Sequence, residues 1–354
     1  MPKFDDGRIL SLKLTTLKKP VTIKDIARKL NMSVSAVSKA LNNDKSISTL
    51  TRERVAALAS EWNYVRNETA RHFQQSKSFT VGIIVPAILD QFYALAINGV
   101  EKIALEQQYN VILSQSHEDF EVESKIVNMM IRNRVDGVIV ALSKQTVDTS
   151  SFNKLATLGI PIVYIARMPK NPDCHYVSSD NFGGAYKGTE FLIKKKGHHR
   201  IAHIKGPDEM YISHIRHEGY MQALKKYGIE YDDKLVTSVD FSKEATYAAM
   251  EQLMALAEPP TAILTFKNYI TLDALQFLRT RHPDKINSID FVGFGFLPLL
   301  EYIDHKPTAS VAENSYDIGI SAMRLLLELM RDETEDNNIT PKHIEVACKL
   351  VVHK

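Results

Sequence analysis

The chain has little of what a secreted or membrane-embedded protein needs. Its 354 residues include 2 cysteines, Cys174 and Cys348. They stand far apart, so there is no disulfide framework, and the usage fits a reducing, cytoplasmic compartment. No apolar run is long enough to cross a bilayer. The best, Thr80–Val100, is interrupted by Pro86, Asp90, Gln91 and Asn98 and reads as strand, loop and helix. The early stretch ILSLKLTTL is broken by Lys13 and leads to no small-residue cleavage site, so it is a poor export signal. Catalytic signatures are missing as well: there is no G-x-S-x-G elbow and no G-x-x-x-x-G-K-[ST] phosphate loop. Gly293 and Gly295 lack the third glycine of a dinucleotide fingerprint. His198 and His199 are adjacent at a helix-to-strand turn, where successive side chains diverge, so with His203 they make no metal cluster. The expectation is a soluble protein with no enzymatic activity, no cofactor and no metal.

Net charge is also nearly absent, at +2 from 44 Lys+Arg and 42 Asp+Glu, but its distribution is uneven. Residues 1–78 hold 15 basic against 7 acidic side chains, while the remainder holds 29 against 35. Positive charge gathered at one end is what contact with nucleic-acid phosphates requires. The same end carries VTIKDIARKLNMSVSAVSKALN, residues 21–42. Ile23, Ile26, Ala27 and Leu30 share one helical face, and Thr22 with Asp25 forms a variant capping box before them. Asn31-Met32-Ser33 breaks the pattern. Ser33 caps a second helix whose apolar positions are Val34, Val37 and Leu41. A third helical run, Thr51–Trp62, sets Val55, Leu58, Ala59 and Trp62 on one side. Two short helices joined by so tight a turn are a helix-turn-helix, whose second helix enters the major groove of double-stranded DNA.

This segment resembles the amino terminus of the lac-repressor-type (LacI/GalR) family of bacterial transcription regulators. The likeness runs on through LTRERVAALASEWNY and NETARHF and, more loosely, over almost all the rest. The first 20 residues fall outside it; with Lys3, Arg8, Lys13, Lys18 and Lys19 they read as a basic arm or a start-site artefact. The resemblance implies a DNA-binding domain at 21–65, a hinge at 66–78 and a two-lobed effector-binding and dimerisation domain at 79–354. Val34, Ser35 and Lys39 are the expected base readers. Thr22, Ser33, Ser38 and Asn42 are expected mainly on phosphates. Arg71 joins the DNA contacts, and Phe73 takes the place of the family's hinge wedge, usually leucine.

From Phe79 onward strand-like runs alternate with amphipathic helical stretches. The runs are Thr80–Val85, Val111–Ser114, Val135–Ala141, Pro161–Ile165, Arg200–Ile204, Ala262–Phe266 and Asp290–Phe294. The pattern restarts near residue 180, which argues α/β with two doubly wound parallel-sheet lobes, like periplasmic binding proteins, and a central cleft. Ligands of such sheets bind beyond the carboxyl ends of the strands. Strand ends and the resemblance together nominate Asp90, Phe92, Tyr93, Arg167, Arg216, Phe241, Lys267, Asn268 and Glu313 as effector contacts. The resemblance also puts the last inter-lobe crossings near Thr308 and Asp332. Three departures stand out: Ala166 before Arg167 where an acid is common, Lys267-Asn268 for Asn-Asp, and Gly293-Phe294-Gly295 for a triplet ending in Asp. Two lost carboxylates and a gained lysine suggest an anionic effector, such as a sugar acid or sugar phosphate.

The reading is therefore a homodimeric, sequence-specific DNA-binding regulator, expected to be a repressor. It would act on a pseudo-palindromic operator under a small carbohydrate-type effector. The alternatives are a periplasmic-type solute-binding protein, or a regulator that answers to a partner protein.

Overall fold

Residues 21–65, 77–144, 146, 149–167, 169, 173–331 and 340–353 are described by the computed structural model. The expected arm, and Arg71 and Phe73, lie outside them. The chain divides into two compact units that meet between Lys77 and Ser78.

In the first unit α1 (Ile23–Leu30), α2 (Val34–Leu41) and α3 (Thr49–Glu61) share one small core. Ile26, Ala27, Val37, Ala40, Val55, Leu58 and Ala59 are buried in it, with Trp62 and Tyr64 packed at its edge. Asn31 ends α1 in the left-handed conformation that asparagine tolerates, with φ 53°, and this makes the turn tight. The Ser33 hydroxyl then accepts the Ala36 N–H at 3.1 Å and starts α2. Asp25 accepts both the backbone N–H and the hydroxyl of Thr22, at 3.0 and 2.7 Å. Val34 is 41% exposed, on the outward side of α2, while Val37 and Ala40 are buried and Leu41 packs against the core.

The second unit holds two six-stranded sheets. In the first, β1 (Thr80–Val85), β2 (Asn110–Gln115), β3 (Gly137–Val140), β4 (Ile162–Ile165), β5 (His175–Ser179) and β11 (His343–Val346) run parallel in the order β11-β5-β4-β3-β1-β2. In the second, β6 (Ile201–Lys205), β7 (Val236–Ser238), β8 (Ala262–Thr265), β9 (Asp290–Phe294) and β10 (Ala309–Ala312) are parallel, and β12 (Lys349–Val352) pairs antiparallel with β10. Five consecutive buried residues in β1 and four each in β3 and β8 are what a sheet covered on both faces demands. The first lobe is covered by α4 (Gln91–Glu106), α5 (Phe120–Arg132), α6 (Ser150–Thr157) and α11 (Ser315–Leu329). The second is covered by α7 (Asn181–Lys194), α8 (Tyr211–Lys226), α9 (Lys243–Met254) and α10 (Asn268–Arg281).

Three crossings join the lobes: Ser179–Asn181, Ala312–Ser315 and Val346–Lys349. The last two replace the expected positions near Thr308 and Asp332. The reason is that α11 returns to the first lobe before the final two strands split, one to each sheet. The crossings are laced together, Asp180 N–H to Val346 O at 2.9 Å and Asn314 Nδ2–H to Ala347 O at 2.6 Å.

Helices α4 and α11 meet almost backbone to backbone. A Cβ on Gly319 would lie 1.9 Å from the Ala96 carbonyl oxygen, and one on Gly99 would lie 2.1 Å from that of Tyr316. Backbone cannot yield as a side-chain tip does, so Gly319→Ala is expected to cost about 1–3 kcal/mol, as overpacking does. An unchanged urea midpoint for the variant would mean that the helices slide apart freely.

Candidate functional site

The carboxyl ends of both sheets face one another across the cleft. Each lobe has the doubly wound 2-1-3-4-5 order, so each brings its switch point, β1/β3 or β6/β8, to the same opening. A cavity of about 280 Å³ lies there. All nine residues nominated for the effector line it: Asp90, Phe92, Tyr93, Arg167, Arg216, Phe241, Lys267, Asn268 and Glu313.

Arg216, on α8, is 4% exposed and its donors are largely spent within the protein. Its Nε–H bonds Asn181 Oδ1 at 2.9 Å, Nη1–H the Phe266 carbonyl, and Nη2–H Glu313 Oε1 at 2.5 Å. Its guanidinium also lies 3.7 Å from the centroid of Phe294 and 4.6 Å from that of Phe266. A fork so held is rigid. Burial pushes the Glu313 carboxyl above its ordinary range, and Arg216 opposes the shift.

Lys267 does not point to solvent. It reaches from the second lobe to Asp90 Oδ2 in the first, at 3.2 Å, and its ammonium lies 5.1 Å from the Phe241 ring. Asp90 Oδ1 meanwhile accepts the Phe92 N–H at 3.0 Å and caps α4. Arg167 is tied to Glu118 at 2.7 Å and to the Leu142 carbonyl at 3.1 Å. Burial tends to raise the Glu118 carboxyl, but Arg167 and the Lys144 N–H hold it below its usual range. Each of the three cations at the cavity is therefore matched by a carboxylate.

Four residues of the lining have φ in the left-handed region: Ala166 at 57°, Phe241 at 76°, Gly295 at 88° and Asn314 at 52°. A bulky Phe241 there stores backbone strain of about 1–3 kcal/mol, which sites for ligands often do. Its ring stacks on Phe266 at 5.4 Å. Gly295 has a second reason for its identity: a Cβ would lie 2.8 Å from Asn268 Nδ2. An aspartate cannot stand at 295 unless Asn268 moves, so the departures at 268 and 295 are one packing choice.

Sequence reasoning missed Ser179, Asn181, Met210, Ile212, Phe266, Phe294, Phe296 and Tyr316 in the lining. Phe266 was read as the last residue of a strand-like run and Phe294 ends β9. Asn181 follows β5, a strand the apolar pattern does not reveal. The histidines lie elsewhere: His198 bonds Thr261 and Asp290, and His203 is fully buried on the Leu264 carbonyl. Among the described residues there is no metal-binding group of three or more His, Cys, Asp or Glu, and no helix long and apolar enough to span a membrane.

On the first unit, the outward face of α2 carries Val34, Ser35, Lys39 and Asn42, all exposed, with Ser38 half-buried beside them. The hydroxyls of Thr22 and Ser33 are engaged in capping α1 and α2.

Comparison with known proteins agrees with this architecture. Residues 22–67 match the family described as bacterial regulatory proteins, lacI family, and residues 81–334 match a periplasmic binding protein domain. The transcriptional repressor CytR of Escherichia coli is 32% identical over 88% of this chain and 90% of its own. The structure of the regulator CelR with cellobiose superposes with TM-score 0.68 at 27% identity, over 94% of this chain and 98% of that one. The lac repressor dimer bound to operator and the anti-inducer ONPF shares the fold, with TM-score 0.78 at 20% identity over 94% of this chain and 98% of that one. A helix-turn-helix unit, a two-lobed unit with its cleft and these relatives converge: the chain belongs to the LacI family, DNA-binding transcription regulators controlled by a small-molecule effector.

Proposed function

We propose that this protein is a homodimeric repressor whose affinity for a pseudo-palindromic operator is set by a small, neutral sugar or sugar derivative in the inter-lobe cleft. The observation that carries the effector class is the pairing of Arg167, Arg216 and Lys267 with Glu118, Glu313 and Asp90 around a cavity walled by aromatic rings. A compensated site gives an anion no free partner, whereas ring faces stack on the apolar side of a sugar and the carboxylates accept its hydroxyls. The anionic effector expected from sequence rested on two lost carboxylates and a gained lysine, and that lysine is paired with Asp90. At about 280 Å³ the cavity stands at the lower end of ligand sites and suits one ring better than an oligomer. The relative seen with cellobiose supports the carbohydrate class.

Val34, Ser35 and Lys39 are assigned to base edges, and Thr22, Ser33, Ser38 and Asn42 to phosphates. Arg71 and Phe73 would act at the hinge between a DNA-binding domain at 21–65 and the effector domain. No catalytic step is assigned. The effector acts by linkage, binding one arrangement of the lobes better than another. Retention of fragmented genomic DNA on the purified protein, followed by sequencing, tests the first half; enrichment of a palindromic site is expected. Calorimetry with neutral sugars and their matched aldonic acids tests the second. Tighter binding of the acidic members would reinstate the anionic effector.

A further inference from the structure

Three covalent crossings tether the two lobes. Away from those crossings, among the described residues, the ion pair of Asp90 and Lys267 links the lobes directly. Asp90 stands at the start of α4 in the first lobe, and Lys267 directly precedes α10 in the second; they meet at 3.2 Å, about a quarter exposed each. Both ends are prepared for the meeting. The other oxygen of Asp90 is fixed by the Phe92 N–H, so the carboxylate cannot swing away without uncapping the helix. The Lys267 ammonium rests between the faces of Phe241 and Tyr269, at 5.1 and 5.6 Å, which restrains its stem.

We propose that Asp90 and Lys267 form an electrostatic latch that holds the lobes closed over an unliganded cleft. The closed arrangement is then the ground state of the protein. A ligand whose acceptor groups displace Asp90 from Lys267 opens the latch. This last consequence rests on the cleft being the effector site, but the latch itself does not.

The test is a distance measurement on the full chain without ligand. Spin labels go on Lys154→Cys in α6 and Glu251→Cys in α9, one exposed residue per lobe, with Cys174→Ser and Cys348→Ala removing the native thiols. Labelled chain is diluted into unlabelled chain so that pairs within one molecule dominate. The expected result is a single short distance that lengthens or broadens in both Asp90→Asn and Lys267→Met, with the double variant going no further than either. Lys267→Arg should keep the short distance. Raising salt from about 0.1 M to 1 M, which shrinks the screening length from about 10 to 3 Å, should move the parent toward the variants. Unchanged circular dichroism establishes that each variant is folded. Folded variants with the parent's distance distribution would overturn the latch, whatever the ligand or the operator proves to be.

Discussion

Replacing Arg216 by methionine is expected to lower the stability of the effector domain by about 3–5 kcal/mol near neutral pH, the usual effect of removing one partner of a buried ion pair. Methionine keeps the stem but removes the guanidinium that serves Glu313, Asn181 and the Phe266 carbonyl, and that lies against Phe294. Glu313 is left buried without its cation. Its carboxyl is already raised above the ordinary 4.5 by desolvation, with Arg216 pulling the other way, so the variant should raise it further. A carboxyl raised on folding favours the protonated form. Its contribution is fully present below the unfolded value and is lost as pH climbs through the folded one. The penalty should therefore be small near pH 4.5 and grow toward alkaline pH. Urea titrations of Arg216→Met across that range should show a falling midpoint, and Glu313→Gln added to the variant should recover most of the loss. A variant equally stable at all pH values would mean that the pair does not matter to the fold.

Much of this arrangement is legible in the sequence because its elements announce themselves. TVGIIV and the runs at 262–266 and 290–294 are largely apolar strands, and the helix-turn-helix declares both its faces. The elements that do not announce themselves are short or polar. Strand β5 is HYVSS, with Ser178 and Ser179 buried in the sheet, and α6 is SSFNKLAT. Missing β5 hides Asn181, and with it the group that orients Arg216. The cleft shows the deeper limit. Residue types predict which side chains reach a strand end, and all nine nominated residues do reach the cavity. They do not predict which charges neutralise one another there. Asp90 and Lys267 are 177 positions apart, and only the closing of two lobes reveals that the lysine is answered.

Lys39→Ala carries the largest expected effect on DNA. Lys39 is exposed on the outward face of α2, one turn beyond Ser35, while Val37 and Ala40 hold the opposite face in the core. A side chain reading a base edge is worth about 1–3 kcal/mol of discrimination. In a symmetric dimer one substitution removes the contact from both half-sites, so about twice that is expected, or roughly 30- to 20,000-fold in operator affinity. The fold should not change, since alanine suits an exposed helix position and no core contact is lost. The kind of loss identifies the kind of contact. If Lys39 reads a base, the variant relaxes preference at one position of each half-site. If it touches a phosphate, binding weakens by a similar factor on all sequences, and the salt slope falls by about one per contact. Mobility shifts against single-base variants of the selected site, at two or more salt concentrations, separate these outcomes. Unchanged affinity and preference would refute Lys39 as a contact and move the reading to Val34 and Ser35 at the start of the same helix.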